Sequence, residues 1–549
     1  MWELLISIVP EPKILEFKGN WFTFNGFENF PEFLAQEFKV PRGNWSIGFK
    51  PAREGTGIQV RDRGIELWGD EGICYASILQ LIMQGRGRLP EVTILEDLRF
   101  RFRGFHLDIA RGGVPRVETF KRILRWLFIL KYNYLAIYLE DLFPWRRYPQ
   151  IGGLRGRLQE EELREVIEYG EKLGVEVLPS LELSGHMENI LTLPEFKAYS
   201  EWHNPREGCL ALGDPEAREF AYSLLEEALE FFPSRYIHLG GDETWALGRG
   251  RSLNRTWRFE GPRLYEEHHS RMIKMAIAKG KKPILWGDMI TGMHLRGEEE
   301  EVWAGLMESP IWREALIANW DYTPAHKQHF RKRIGMLKDR GIQQIACPGL
   351  SNWNRYYPNY QTALENLKSF LEAAREEGLQ GFLITAWGDD GEECLFSLLE
   401  PLMLAAMEFA EGGGKWEEKW LALSGEGEEA LRARTLLGSP QVSDMLKHVV
   451  FRDSIYHRLS SQEKEEIRKV WEEVLRGVES TPLPEDLSFI RRMLEVGVRI
   501  LRGEATASDY LTLSNLYSQL WLKERKPEGL GRIIERFWGA AGREDLHLP

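Results

Sequence analysis

Apolar and polar positions fall into three successive rhythms along the chain. Up to about residue 97, short stretches alternate with a period of two (Trp45-Ser-Ile47-Gly-Phe49, Ile58-Gln-Val60, Ile65-Glu-Leu67), and an apolar helical run follows over 73–83. The opening MWELLISIVPEPK reads as a first strand. From Phe102 onward, short apolar strands separated by amphipathic helices take over, the signature of βα units and a parallel sheet. Candidate strands begin near Phe102, Tyr134, Val175, Tyr236, Pro283, Leu316, Gln343 and Gly381. Between them, Val117, Phe120, Leu124 and Leu127 share one helical face, and Asp214-Pro215 reads as an N-cap followed by proline at the first helical position. Eight such units, ending near Ala410, predict a closed (β/α)8 barrel. A doubly wound open sheet is the weaker alternative, because no glycine-rich phosphate turn follows the first strand.

After Glu411-Gly-Gly-Gly414 the sequence becomes charged and helical. Ile467, Val470, Trp471 and Val474 mark one amphipathic helix, and Leu487, Ile490, Leu494, Val498 and Leu501 mark another. Ser460, with Glu463 three residues later, forms a capping box before the first. The expected fold class is therefore α/β: a small N-terminal α+β domain over 1–97, a TIM barrel over 98–410, and a C-terminal α-helical domain over 411–549.

Charge and cysteine usage narrow the function. Lys+Arg 71 against Asp+Glu 84 gives a net charge of −13, which opposes a nucleic-acid or anionic-membrane partner and suits a neutral or cationic small ligand. Cys74, Cys209, Cys347 and Cys394 form neither a Cys-x-x-Cys nor a zinc-spaced set, so they read as reduced thiols and no metal is expected. No basic segment or small-residue cleavage site flanks the opening apolar run, and no stretch approaches the roughly 20 apolar residues of a membrane span. A cytoplasmic protein is the expectation, with the helical tail offering surface for a homodimer. The 20 tryptophans suit either aromatic cores or a site that stacks flat ligand faces.

The chemistry gathers where strands end. After the fourth barrel strand stands His238-Leu-Gly240-Gly241-Asp242-Glu243-Thr-Trp245. Two glycines permit an abrupt turn, and two consecutive carboxylates follow where strand alternation breaks, so both can face one pocket. Adjacent acids push each other's pKa apart, leaving one protonated as a general acid while the other stays ionised, as glycosidic cleavage requires. The tetrapeptide also resembles the GGDEF signature of cyclic-dinucleotide synthases. Thr244 in place of Phe, and the lack of a basic cluster for triphosphate, disfavour that reading.

Over roughly residues 65–410 the chain resembles the β-N-acetylhexosaminidases of glycoside hydrolase family 20, whose hallmark His-x-Gly-Gly-Asp-Glu is matched by His238 to Glu243. Further blocks occur in family order: Gly104-Phe-His-Leu-Asp108-Ile-Ala-Arg111, Tyr138-Leu-Glu140-Asp141, Leu183-Ser-Gly185-His186, Leu285-Trp286-Gly-Asp288, Asn319-Trp320-Asp321-Tyr322 and Trp387-Gly388-Asp389-Asp390. The resemblance implies exo-acting, retaining removal of a terminal β-linked N-acetylhexosamine from a carbohydrate substrate, without a cofactor. The sugar's own 2-acetamido oxygen attacks the anomeric carbon and forms an oxazolinium intermediate, an exception to the two-carboxylate scheme. Glu243 is then the general acid and base, Asp242 holds the acetamido N–H, and His186 with Asp141 forms a relay to Glu243. Arg111 grips the outer hydroxyls, Asp389 meets the 4- and 6-hydroxyls, and Trp286, Trp320 and Trp387 wall the acetamido pocket. Tyr322 is the candidate phenol for the acetamido oxygen, with Tyr356, Asn352 and Trp353 competing.

Two features stay open at this level. Glu182 stands where many family members carry an aspartate that supports Asp242, and gluco against galacto preference is not fixed. Two other functions compete: a sugar-binding barrel without hydrolysis, and a glycosidase of another specificity with a true carboxylate nucleophile, for which no second acid is strongly matched.

Overall fold

In the computed structural model, which describes residues 6–51, 54–293, 295 and 297–545, the alternating segments near the start form a five-stranded sheet. Its strands β1 (Ile14–Thr23), β2 (Ser46–Phe49), β3 (Thr56–Arg61), β4 (Gly64–Trp68) and β5 (Arg88–Glu96) lie in the order β1-β5-β3-β4-β2. All pairs are antiparallel except β2 with β4. One helix, Glu71–Gly85, covers the sheet; the Asp70 side chain caps it by accepting from the Ile73 N–H at 3.0 Å.

The opening run departs from its expected strand. Residues 1–5 lie outside the described residues, and 6–13 form no strand, the first being β1. Helix side chains take up the backbone groups that a neighbouring strand would use. The Val9 N–H donates to Gln80 Oε1 and Gln80 Nε2 donates back to the Val9 carbonyl, each at 2.8 Å, while the Ser7 N–H donates to Gln84 Oε1 at 2.9 Å.

The barrel strands start within one residue of their expected positions: β6 (Phe102–Asp108), β7 (Tyr134–Tyr138), β8 (Glu176–Ser180), β9 (Tyr236–His238), β10 (Lys282–Trp286), β11 (Leu316–Trp320), β12 (Gln344–Cys347) and β13 (Gly381–Ala386). They are parallel and closed, with β13 registered against β6 from Gly381↔Phe102 to Ala386↔Leu107. Each reads as a continuous apolar run because both faces are covered. Gly381 is required at the closure, since a Cβ there would collide with the Phe102 carbonyl.

Aromatic layers fill the barrel interior. At the strand starts, Phe102 stacks on Tyr134 with centroids 4.2 Å apart, and Tyr236 meets Phe102 edge-on at 5.1 Å. At the strand ends, Trp286 lies 4.2 Å from His238, 5.2 Å from His106 and 5.7 Å from Trp387, and Tyr138 meets Trp387 edge-on at 5.0 Å. This upper layer closes the barrel and floors the cavity above it.

From Trp416 the chain is a succession of helices to Asp545, and among the described residues no helix is long and apolar enough to cross a membrane. The two amphipathic helices read from the sequence are Ser461–Val478, with its capping box at Ser460 and Glu463, and Glu485–Arg502. They press together at Gly497, where a Cβ would strike the Trp471 indole. Buried ion pairs join the parts. Lys131 meets Glu96 at 2.7 Å between barrel and small domain, and Lys419 meets both Glu408 and Glu11 at 2.7 Å.

Gln80 also donates to the Ile129 carbonyl at 2.7 Å, so one buried amide satisfies three backbone groups of two other segments. Gln80→Leu orphans all three, at on the order of 1–3 kcal/mol each. A thermal unfolding midpoint several degrees lower is expected; an unchanged midpoint would show that the orphaned groups are satisfied another way.

Candidate active site

The site begins where β9 stops. Gly240 and Gly241 have φ of +71° and +95°, and neither position tolerates a side chain. A Cβ on Gly240 would collide with the Glu182 carboxyl, and one on Gly241 would come within 2.8 Å of His269 and Tyr265. The resulting turn carries Asp242 and Glu243 over the strand ends. Glu243, His186 and Glu140 themselves sit in left-handed backbone, at φ of +49°, +48° and +43°. Three strained non-glycine residues on one side of a cavity mark a place where function outweighs local preference.

Acidic groups crowd around one imidazole. His186 Nε2 lies 3.3 Å from Asp242 Oδ2 and 3.4 Å from Glu243 Oε2. Burial favours a neutral His186, but the Asp242 charge and the contacts to Asp242 and Glu243 hold its pKa well above the usual imidazole value. Burial likewise opposes ionisation of Asp242, and the His186 charge overcomes it and holds that carboxyl below its ordinary range. Glu182 goes the other way: burial, reinforced by the Asp242 charge, pushes it well above the carboxylate range. Its oxygens accept from the Gly241 N–H and from Trp286 Nε1, each at 3.2 Å. The result is a neutral Glu182 beside an ionised Asp242. The protonated Glu182 is in turn a hydrogen-bond partner of the Asp242 carboxylate.

Asp288, just past the end of β10, positions two of these groups. Its Oδ2 accepts the Glu243 N–H at 2.9 Å and its Oδ1 accepts Trp320 Nε1 at 3.2 Å. Burial and then the Asp242 charge push its pKa up to about 8.

Arg111, His186, Asp242, Glu243, Trp320, Tyr322, Trp353, Trp387 and Asp389 line a cavity of about 430 Å³ above the aromatic floor. Trp320 stacks on Tyr322 at 5.1 Å, and Trp353 lies 5.0 Å beyond. Trp387 Nε1 donates to Tyr322 Oη at 2.7 Å, which leaves the phenol proton for another acceptor. Gly349 permits this packing, as a Cβ there would come within 2.7 Å of the Tyr322 ring.

On the opposite wall, Arg111 pairs with Asp108 at 2.5 Å, Glu140 at 3.3 Å and Asp389 at 3.6 Å. Its guanidinium also lies over Tyr138 and Trp387. A salt bridge to Asp108 and a place in the cavity wall, which look like alternatives in the sequence, are both realised. Asp389 keeps 43% of its side chain exposed at the rim, and Glu243 keeps 40%.

Several expected positions differ. Trp286 is fully buried and does not line the cavity; its indole belongs to the barrel floor and reaches the site through Glu182 and Trp387. Trp353 supplies the third indole of the wall instead. Asp141 is taken up by Arg155, while Glu140 approaches His186, with Glu188 nearby. Neighbouring acids cannot be told apart in the sequence, because the left-handed turn at Glu140 decides which one faces inward. Tyr356 is core, packed on Phe451 and Tyr517, and Asn352 donates to the Trp387 carbonyl at 2.7 Å. Asp288 has one sign in the sequence, an acid two residues past Trp286, the spacing of Asp389 after Trp387.

Two groups bring three potential ligand atoms within 4.8 Å of one another: Glu140 with His186 and Glu188, and His186 with Asp242 and Glu243. Both lie among the described residues and depend on His186.

Residues 100–348 match the model of the glycosyl hydrolase family 20 catalytic domain. Over that segment, a little under half of its length, the chain is similar to family 20. The β-hexosaminidase of Vibrio furnissii is 31% identical over 203 residues, covering 31% of this chain and 33% of that protein. Human hexosaminidase D is 26% identical over 307 residues, covering 52% of this chain and 60% of that protein. These matches therefore span less than two thirds of either relative. The fold of a Flavobacterium johnsoniae chitobiase superimposes with a TM-score of 0.59 at 15% identity, over 98% of this chain and all of that one.

The carboxyl groups of the site make the protein sensitive to pH. Glu140, raised by burial against the opposing Arg111 charge, also has a pKa of about 8. Between ordinary carboxyl values of 3.8–4.5 and about 8, the folded protein keeps protons on Glu140 and Asp288 that the unfolded chain releases. The stability associated with both groups is thus full below the ordinary values and lost as pH rises toward 8. The thermal midpoint is expected to decline over that window, and Glu140→Gln or Asp288→Asn to flatten the decline. A midpoint that rises across the window in the wild type and is unaltered by both variants contradicts this assignment.

Proposed function

We propose that this protein is an exo-acting, retaining β-N-acetylhexosaminidase that removes terminal β-linked N-acetylglucosamine, with N-acetylgalactosamine as the alternative, by substrate-assisted catalysis. The reading is carried by Asp242: a buried, ionised carboxylate in the lining of a cavity walled by three indoles and a phenol. An acetamido N–H suits the Asp242 carboxylate, its methyl suits the indoles, and its oxygen suits the Tyr322 hydroxyl.

In the first step the acetamido oxygen bonds to the anomeric carbon as the glycosidic C–O bond breaks, and Glu243 gives its proton to the leaving oxygen. Positive charge spreads over the oxazolinium ring, and Asp242 stabilises it through the ring N–H more strongly than in the ground state. In the second step water attacks the anomeric carbon from the side the leaving group vacated, Glu243 recovers a proton from it, and the acetamide re-forms. Configuration is retained because two inversions occur. Arg111 and Asp389 face the outer hydroxyls. A reducing cytoplasmic setting belongs to this reading and is supported by four buried free thiols.

Incubation with aryl β-N-acetylglucosaminide, aryl β-N-acetylgalactosaminide and aryl β-glucoside tests the proposal. Cleavage of one or both acetamido sugars and not the glucoside is expected; cleavage of the glucoside as well rules out acetamido participation, and cleavage of none favours binding alone. Asp242→Ala is expected to lower turnover by about 10²-fold or more, and near-normal turnover removes Asp242 from the mechanism. Asp288→Asn replaces an acceptor with an N–H facing another N–H. It is expected to lower kcat by about 10²-fold through displacement of Glu243 or Trp320.

A further inference from the structure

Two loops carry the groups assigned above to the outer hydroxyls: the loop after β6, with Arg111, and the loop after β13, with Asp389. The second loop has the sequence Asp389-Asp390-Gly391-Glu392-Glu393, four acids in five residues, with Asp390 and Glu392 in left-handed backbone at φ of +66° and +58°. Alone, such a loop repels itself. The barrel contributes Arg111 to it, and the remaining cations come from the C-terminal helices. Lys447 pairs with Asp390 and, at 2.8 Å, with Glu393; Arg536 pairs with Glu393 and, at 3.1 Å, with Asp390.

Arg532 joins the two loops. Its NH2 donates to the carbonyl of Arg111 at 2.7 Å. Its guanidinium also lies over one glycine of each loop: a Cβ on Gly112 or on Gly391 would come within 2.8 Å of Arg532 NH2. Gly529 is set so closely on Gly112 that a Cβ there would collide with the Gly112 carbonyl. The barrel loops thus hold glycine, at φ of +112° and +125°, where the C-terminal segment is received. Further bonds run alongside, from the Lys526 N–H to the Val114 carbonyl and from the Arg116 N–H to the Glu524 carbonyl, both at 2.9 Å.

Resting on the function proposed above, we infer that the C-terminal helix Leu530–Asp545 is part of the sugar-recognition apparatus: Arg532 is a positioning residue that sets Arg111 relative to Asp389, and so fixes selectivity for the substrate's 4- and 6-hydroxyls. The family match ends at residue 348, so neither the second loop nor this helix lies within it. Arg532 is not among the residues that line the cavity and acts on it through the Arg111 backbone it holds.

Arg532→Met, which keeps the bulk and removes the charge and donors, tests this in the full-length protein. Arg532 stands on an exposed surface, so the variant is expected to fold with a near-normal thermal midpoint. Amide hydrogen exchange should accelerate over 111–114 and 389–393 and stay unchanged over 349–356. With aryl β-N-acetylglucosaminide, kcat/KM should fall about tenfold, mainly through KM. With the 4,6-dideoxy analogue, variant and wild type should differ less than about twofold, since the positioned contacts are then absent. Arg532→Lys should restore part of the difference. Unchanged exchange in the two loops overturns the proposal, as does an equal loss on both substrates, which is the mark of a purely structural role. If the wild type cleaves no acetamido sugar, the function above fails; the inference is then decided by exchange together with the affinity of each protein for N-acetylglucosamine.

Discussion

The structure depends on gathering several carboxyl groups at the mouth of one barrel with too few cations to ionise them all. Glu182, Asp242 and Asp288 are buried within reach of each other's charge, and His186 is the cation among them. Only one of the three can hold its charge cheaply, and the position of His186 decides that it is Asp242. Glu182 and Asp288 stay protonated as a consequence, each also fixing a neighbour: Glu182 fixes Trp286 and Gly241, and Asp288 fixes Glu243 and Trp320. One electrostatic competition therefore sets protonation, indole orientation and the backbone of the proposed acid together.

The aromatic floor makes that competition possible. His106, His238, Trp286 and Trp387 close the barrel beneath the carboxyls and keep water from the interior. Without such a layer the acids would be solvated and their pKa values would return toward ordinary ones. The strained backbone at Glu243 is held from the rim, by the Asp288 carboxyl on its N–H.

The C-terminal helices extend this logic outward. Acids on the loop after β13 face cations from a region whose sequence shows only amphipathic helices, and Arg525 is buried entirely at the junction, donating to the Cys394 carbonyl at 2.6 Å. Nothing in the spacing of residues 389–393 and 525–536 links them, because residues 394–524, mostly helix, lie between. Glycines at 112 and 391 were the available sign, but a glycine receiving a guanidinium looks like any other loop glycine.

The sequence by itself determined the eight strand starts, the helical tail, the turn at Gly240 and Gly241, and the cluster of site candidates at strand ends. These follow from local periodicity and from residue types that only certain backbone can accept. Tertiary structure alone decided which of two neighbouring acids turns inward at Glu140 and Asp141, and which tryptophan becomes floor and which becomes wall. It also decided which carboxyl keeps its charge. Each of those outcomes depends on burial and on groups distant in the chain: Arg155 claims Asp141, Glu182 anchors Trp286, and His186 selects Asp242. Linear order specifies what can be buried, and only the closed barrel specifies beside what.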